Sequence, residues 1–304
     1  MSVITVENLT KDYGHGRGIY EVSFCVEQGK TLGFLGPNGA GKSTTMRHLM
    51  GFSRPQSGRA SILHKDCHTE YDEIKKHVGY LPGEVAIPAG LNGEEFIEMM
   101  MGLRNLQDGS RAKYLLERFQ LNPNQNVKKM SIGEKRKLAI VTAFMSDPEI
   151  LLLDEPTSGL DPDMQEIFID FIKEEKERGK TILLSSHIFF EVEALCDSIA
   201  IIKDGRIVSI LDAEDVRHGL RKTLKLHLAT NEEFDAFMQN EKFEIVDSNR
   251  EARYISIIME DKDTNKFLHR IVNYRLSKYE EITMSLENYF MHFYKNTKTF
   301  GGIR

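Results

Sequence analysis

Residues 36–44 are Gly36, Pro37, Asn38, Gly39, Ala40, Gly41, Lys42, Ser43 and Thr44, and they set four residues between Gly36 and Gly41 before Lys and Ser. That spacing is a phosphate-binding loop. Gly36, Gly39 and Gly41 let the backbone turn tightly enough for its N–H groups to face phosphate oxygens, and a helix N-terminus beyond them adds partial positive charge. Lys42 would sit between the β- and γ-phosphates, and the Ser43 hydroxyl would ligate Mg²⁺. Further along, Asp154 and Glu155 close the apolar run 150–153, which reads as a buried parallel strand. Asp154 would hold Mg²⁺ through water, and Glu155 would take a proton from water attacking the γ-phosphate; the bland alternative, a solvated acidic turn, is disfavoured by the phosphate loop in the same chain. Residues 181–185 read as the next strand, which ends at Ser186 and His187 and so brings an imidazole to the same sheet edge.

Two further segments have an ordinary and a chemical use. In 130–137, MSIGEKRK, Ser131 with Glu134 three residues on is a capping box, hence a helix start. A helix start is also an anion site, and with Gly133 permitting close approach it suits a γ-phosphate presented by another molecule. Tyr13, just before the glycine-rich turn 14–18, could stack on the adenine of a bound nucleotide or simply pack. His64, Cys67 and His68 read as a polar turn, since a metal site would need a fourth ligand.

These residues need elements to hold them. Residues 31–35 read as the strand before the phosphate loop and 43–50 as the helix after it, ended by Gly51. Strands are also expected over 2–9, 22–26, 59–63 and 77–81, with Pro82 and Gly83 breaking the last. Helices over 94–101 and 111–119 would form an inserted subdomain, and a long helix would follow Ser131 to Met145. Pro162 starts another, to about Arg178, after the loop Ser158, Gly159, Leu160, Asp161. A hairpin over 198–211, turning at Asp204 and Gly205, closes the main domain. Past Arg221 the pattern changes. Strands over 223–229, 242–246, 254–259 and 280–283 alternate with helices over 232–240, 264–272 and 285–294, an order suggesting a ferredoxin-like α+β appendix. The expected division is 1–220 for the nucleotide-binding domain and 221–304 for the accessory domain.

The chain has 304 residues and a formal charge of −6. That gives no bulk attraction to nucleic acid, and no basic run supplies a local one. No apolar stretch approaches the roughly 20 residues needed to span a bilayer, and the first residues lack a secretion signal, so the chain is expected in the cytoplasm. Three widely spaced cysteines suit reduced thiols.

The ordered set of Tyr13, the loop 36–44, Ser131 to Glu134, Asp154 with Glu155, Ser158 to Asp161 and His187 resembles the ATP-binding cassette (ABC) transporter ATPase subunits over about residues 2–218. The resemblance implies a P-loop NTPase core with an antiparallel β subdomain and a helical subdomain, here followed by the small α+β C-terminal domain. It implies ATP and Mg²⁺ as cofactors and a head-to-tail homodimer, or pairing with a second cassette, in which ATP lies between the phosphate loop of one copy and the signature of the other. It also implies an integral-membrane permease as partner and a place at the cytoplasmic face of the membrane. Two departures stand out. Ile132 occupies the first glycine position of the family signature and Glu134 its Gln position. In 80–84, YLPGE, Gly83 stands where the family places a Gln that touches Mg²⁺, and Glu84 beside it would serve as an oxygen ligand. The single cassette, the appendix and this loop look most like the bacterial drug and antibiotic exporters. A non-transport member acting on ribosome or DNA is the alternative, but fused cassettes, long coiled coils and a basic surface are all missing from the sequence. A module that binds ATP without hydrolysis would lack the base, and Glu155 is present.

Overall fold

Runs of apolar residues long enough for four or five positions, too short for a helix, become the central strands. A computed structural model of the chain describes residues 1–214, 222–259, 263–282, 286–287 and 290. Its residues group into two compact units, Met1–Leu211 and Asp212–Arg304.

In the first unit, β3 (Thr31–Leu35), β7 (Ile150–Asp154) and β8 (Thr181–Ser186) are buried at every position. Strands covered on both faces read as continuous apolar runs because no face is left for water. With β6 (Val78–Leu81), β9 (Ser198–Lys203) and β10 (Arg206–Asp212) they make a six-stranded sheet in the order β10-β9-β3-β8-β7-β6. The pairs β9–β3, β3–β8, β8–β7 and β7–β6 are parallel. Register then decides where the chemistry falls. Leu35 lies opposite Ser186, Asp154 opposite Ser185, and Leu81 opposite Leu153, so the loops after four strands leave from one edge.

A second, antiparallel sheet has the order β2-β1-β4-β5, from β1 (Ser2–Gly14), β2 (Arg17–Glu27), β4 (Ser57–Ile62) and β5 (Lys65–Asp66). Its inward residues Ile4, Val6, Leu9, Val22 and Phe24 share one core with Phe34 of β3 and with Met46 and Leu49 of α1 (Lys42–Leu49). The helices α3 (Gly93–Leu103) and α4 (Ser110–Arg118) both pack on α5 (Ile132–Phe144). Ser131 caps α5: its hydroxyl accepts from the Glu134 N–H, and Glu134 accepts from the Ser131 N–H. Helix α6 (Pro162–Glu177) starts from Asp161, whose carboxylate accepts from the Met164 N–H.

Two helices of this unit have no counterpart among the sequence expectations. The polar α2 (Tyr71–His77) buries only Ile74, so it shows no apolar stripe. The seven-residue α7 (Phe189–Leu195) follows the His187 loop and is too short for a period to develop. No helix among the described residues is long and apolar enough to cross a membrane.

The second unit runs β11 (Lys222–Leu228), α8 (Asn231–Asn240), β12 (Glu244–Asn249), β13 (Tyr254–Met259), α9 (Thr264–Ile271) and β14 (Leu276–Ile282). Its antiparallel sheet has the order β12-β13-β11-β14, a ferredoxin-like β-α-β-β-α-β arrangement. Leu224, Leu226, Ile255 and Ile257 meet Phe234, Phe237 and Phe267 in its core. The two edge strands depart from expectation, β12 extending through Asp247, Ser248 and Asn249 and β14 beginning at Leu276. Edge strands accept polar residues, so their bounds are poorly marked in sequence. Most of the expected final helix 285–294 lies outside the described residues; Leu286 and Phe290 of its apolar face are buried.

Candidate functional site

At the shared edge, the turn from β3 into α1 depends on Gly41. It has φ 111°, and a Cβ there would come within 2.7 Å of Ile19 Cγ2, so no other residue fits without displacement. Lys42 follows, buried to 4 % exposure. Its ammonium donates to the carbonyls of Gly36 at 2.6 Å and Pro37 at 3.3 Å, and lies 2.9 Å from Glu155 Oε1. A buried cation is tolerable only with such partners.

Asp154 is buried to 2 % exposure, and its Oδ1 accepts from the Ser185 hydroxyl at 2.5 Å. The next residue, Glu155, has φ 47°, a left-handed conformation that swings its side chain out of the strand's alternation. Its N–H donates to the Ser185 carbonyl at 3.0 Å, and its Oε2 accepts from His187 Nδ1 at 2.6 Å. The loops bearing Glu155 and His187 are tied together by Glu191, which accepts from the Thr157 hydroxyl and from the Ser186 hydroxyl at 2.7 Å. Burial raises the Glu191 carboxyl above its usual range, and the two hydroxyls oppose that shift.

Ser43, Asp154, Glu155, His187, Asn38, Ser158 and Glu84 line one cleft of about 460 Å³, with Arg47, Phe52, Tyr80, Pro82 and Gly83. Burial, then the charge of Asp154, pushes the Tyr80 phenol up to about 12, so it stays neutral. The cleft thus joins the phosphate loop, both carboxylates, the imidazole and the YLPGE loop. Tyr13 and the Ser131–Glu134 turn are not among its lining residues. Tyr13 is exposed, with Lys11 Nζ 5.6 Å from its ring centroid. Ser131 is exposed at the head of α5, and the Glu134 carboxylate is engaged in the cap. Beside it, a Cβ on Gly133 would meet the Gly159 carbonyl at 2.9 Å, while one on Gly159 would meet Ile132 Cγ2 at 2.7 Å, so the signature turn lies against the loop that follows Glu155.

Mg²⁺ favours hard oxygen ligands and is commonly held by one or two carboxylates together with phosphate oxygens and water. The Ser43 hydroxyl and the Asp154 and Glu84 carboxylates facing one cleft fit that donor set. No group of three His, Cys, Asp or Glu side chains among the described residues forms a metal site, and that includes His64, Cys67 and His68. These last form a turn in which Asp66 accepts from the N–H groups of His68 and Thr69.

Ser185, Glu191 and Arg136 join this site although nothing in the sequence singles them out. The first two lie in the strand and helix that flank His187 and are used through hydrogen bonds to neighbouring loops. Arg136 stands between Lys135 and Lys137, and it alone of the three is buried.

A parallel sheet whose strand ends gather a phosphate loop, a strand-end carboxylate pair and a histidine defines a nucleotide-phosphate-binding protein. Comparison with known proteins narrows the class. The family model described as ABC transporter matches residues 19–158. The bacitracin transport ATP-binding protein BcrA of Bacillus licheniformis is 32% identical over 252 residues, 81% of each chain. The linearmycin resistance ATP-binding protein LnrL of Bacillus subtilis (strain 168) is 35% identical over 213 residues, 68% of each chain. The dimeric structure of MJ0796, a bacterial ABC transporter cassette, shares the fold with a TM-score of 0.63 at 24% identity, over 69% of this chain and 98% of that one. The chain belongs to the ATP-binding subunits of ABC transporters.

Proposed function

We propose that this chain hydrolyses ATP with Mg²⁺ and so drives a separate integral-membrane permease that exports a drug, antibiotic or peptide, working at the cytoplasmic face of the membrane. The observation that carries the hydrolytic part is the Glu155 carboxylate, held between Lys42 and His187 at the mouth of the cleft that Ser43 and Asp154 also line. The backbone N–H groups of 36–44 and the N-terminus of α1 bind the β- and γ-phosphates. Lys42 turns from the carbonyls of Gly36 and Pro37, and from Glu155, to phosphate oxygens. Glu155 Oε1 is then free to accept the proton of the attacking water, while His187 keeps the carboxylate aimed. Ser43, Asp154 and Glu84 would hold Mg²⁺, whose charge would offset that developing on the transferred phosphoryl group.

A second copy completes the site. Ser131 and Gly133 open α5 and are not among the residues lining their own chain's cleft, and a partner's helix N-terminus would supply N–H donors and dipole to the γ-phosphate. Tyr13 takes the adenine. Export is supported by BcrA and LnrL, whose names record antibiotic transport and resistance. Transport of labelled antibiotic into inverted vesicles, with the permease co-expressed, tests the whole: ATP-dependent accumulation is expected, and its absence with an active ATPase would remove export while keeping hydrolysis. The accessory domain, 221–304, has no assigned chemistry.

A further inference from the structure

Arg136 is 3 % exposed, on the first turns of the helix that the signature opens. Among the described residues its guanidinium forms no ion pair within hydrogen-bonding distance. Instead it donates to three backbone carbonyls: Nη1 to Pro82 at 2.6 Å, Nη2 to Gly83 at 2.5 Å and Nε to Ser158 at 3.1 Å. Burial lowers its pKa, and the charges of Asp154 and Glu155 oppose that, so these two carboxylates are its counter-charges across the cleft wall. Guanidinium stays protonated in proteins regardless. One fixed, planar cation therefore joins the helix of the signature, the YLPGE loop and the loop after Glu155.

Gly83 gives that clamp its consequence. A Cβ on Gly83 would lie 3.1 Å from Asp154 Oδ2 and 3.3 Å from Asp154 Cγ, so the loop backbone passes directly over the carboxylate. Gly83 has no side chain with which to reach a metal, and the loop's position over Asp154 is set by its backbone alone. Two of the three Arg136 bonds fix that backbone.

We infer that Arg136 is a positioning residue which holds the Pro82–Gly83 backbone over Asp154, and so shapes the oxygen site for Mg²⁺ while linking it rigidly to the signature helix. The inference deepens the proposed function, since it rests on Asp154 being the Mg²⁺ carboxylate. A planar fork reaching carbonyls of two loops cannot be replaced by an ammonium, which makes Arg136→Lys a retained charge with lost geometry.

Three variants test it: Arg136→Met, Arg136→Lys and Gly83→Ala. In the nucleotide-free chain, amide exchange of the peptide spanning 80–84 is expected to quicken severalfold in both Arg136 variants. In turnover assays the Mg²⁺ concentration for half-maximal rate is expected to rise about tenfold in all three, as is common when a residue supporting a metal ligand is lost, with a smaller change in kcat at saturating Mg²⁺. A merely structural role would lower the thermal midpoint and leave the Mg²⁺ requirement unmoved. If Arg136→Met does not fold, Arg136→Lys carries the decision, since Gly83→Ala acts on Asp154 directly and reports only how closely the loop lies over it. Unchanged exchange and an unchanged Mg²⁺ requirement in the folded variants overturn the inference. A wild-type chain that hydrolyses ATP without needing a divalent ion overturns the Asp154 assignment beneath it.

Discussion

Nδ1 of His187 donates to Oε2 of Glu155 at 2.6 Å, while the other oxygen of the same carboxylate lies 2.9 Å from Lys42. Glu155 is thus aimed by one neighbour and in competition with phosphate for the other. Glu155→Gln keeps the shape and removes the base, so turnover should fall by about 10² to 10⁴. It also frees Lys42 from a charged partner, so ADP, which cannot report trapped hydrolysis, should bind more tightly than to the wild type. Calorimetric titration with ADP and a phosphate-release assay on the same protein check both halves. Near-normal turnover would move the base elsewhere. Lys42→Ala should weaken nucleotide binding itself.

Glu84 is exposed and lines the same cleft, next to the glycine that lies over Asp154. Glu84→Ala should impair Mg²⁺-dependent hydrolysis or its coupling to the permease. Reconstituted vesicles in which both stay normal would make the residue part of a structural turn.

Mixing inactive chains tests the shared site. Ser131→Arg blocks the signature and Lys42→Ala the phosphate loop, so each should be nearly inactive alone. Together they can form one intact composite site and should recover part of the activity, and wild-type activity should rise more than linearly with concentration. Failure to complement, with a rate per molecule independent of concentration, would sink the two-copy mechanism.

Acid stability has its own residue. Asp147, before β7, feels burial that raises its pKa, but hydrogen bonds from Arg178 and Lys180, and the nearby charge of Arg111, outweigh it and bring it to about 2. A carboxyl held below its unfolded value stabilises the fold above about pH 4 and loses that contribution as pH falls toward 2. Asp147→Asn should therefore melt below the wild type at about pH 7, and the gap in thermal midpoint should narrow below about pH 4. A gap that stays constant through the acid range would mean the charge of Asp147 contributes nothing.

What could be read from the sequence follows from how each feature is encoded. β3, β7 and β8 are short, mainly apolar runs buried at every position, with chemistry at their ends, so both the sheet and the placement of Lys42, Asp154, Glu155 and His187 follow from local pattern. The cap joining Ser131 and Glu134 is likewise a spacing of three residues. Arg136 is different. Its partners Pro82, Gly83 and Ser158 are backbone carbonyls 54, 53 and 22 residues away, and a carbonyl leaves no mark on residue type. Helix α2 escaped for a related reason, since one buried residue, Ile74, makes no stripe.

Among the three thiols, Cys25 faces outward from β2, whereas Cys67 and Cys196 are buried, and burial pushes the Cys67 thiol up to about 12. Thiol reactivity follows thiolate character and access, so an alkylating probe should find one position per chain. The unmodified protein therefore carries its own attachment point for a spin label or fluorophore, on the antiparallel sheet and outside the residues that line the cleft. Two such labels in a pair of chains would report their separation through an ATP cycle without a single engineered cysteine.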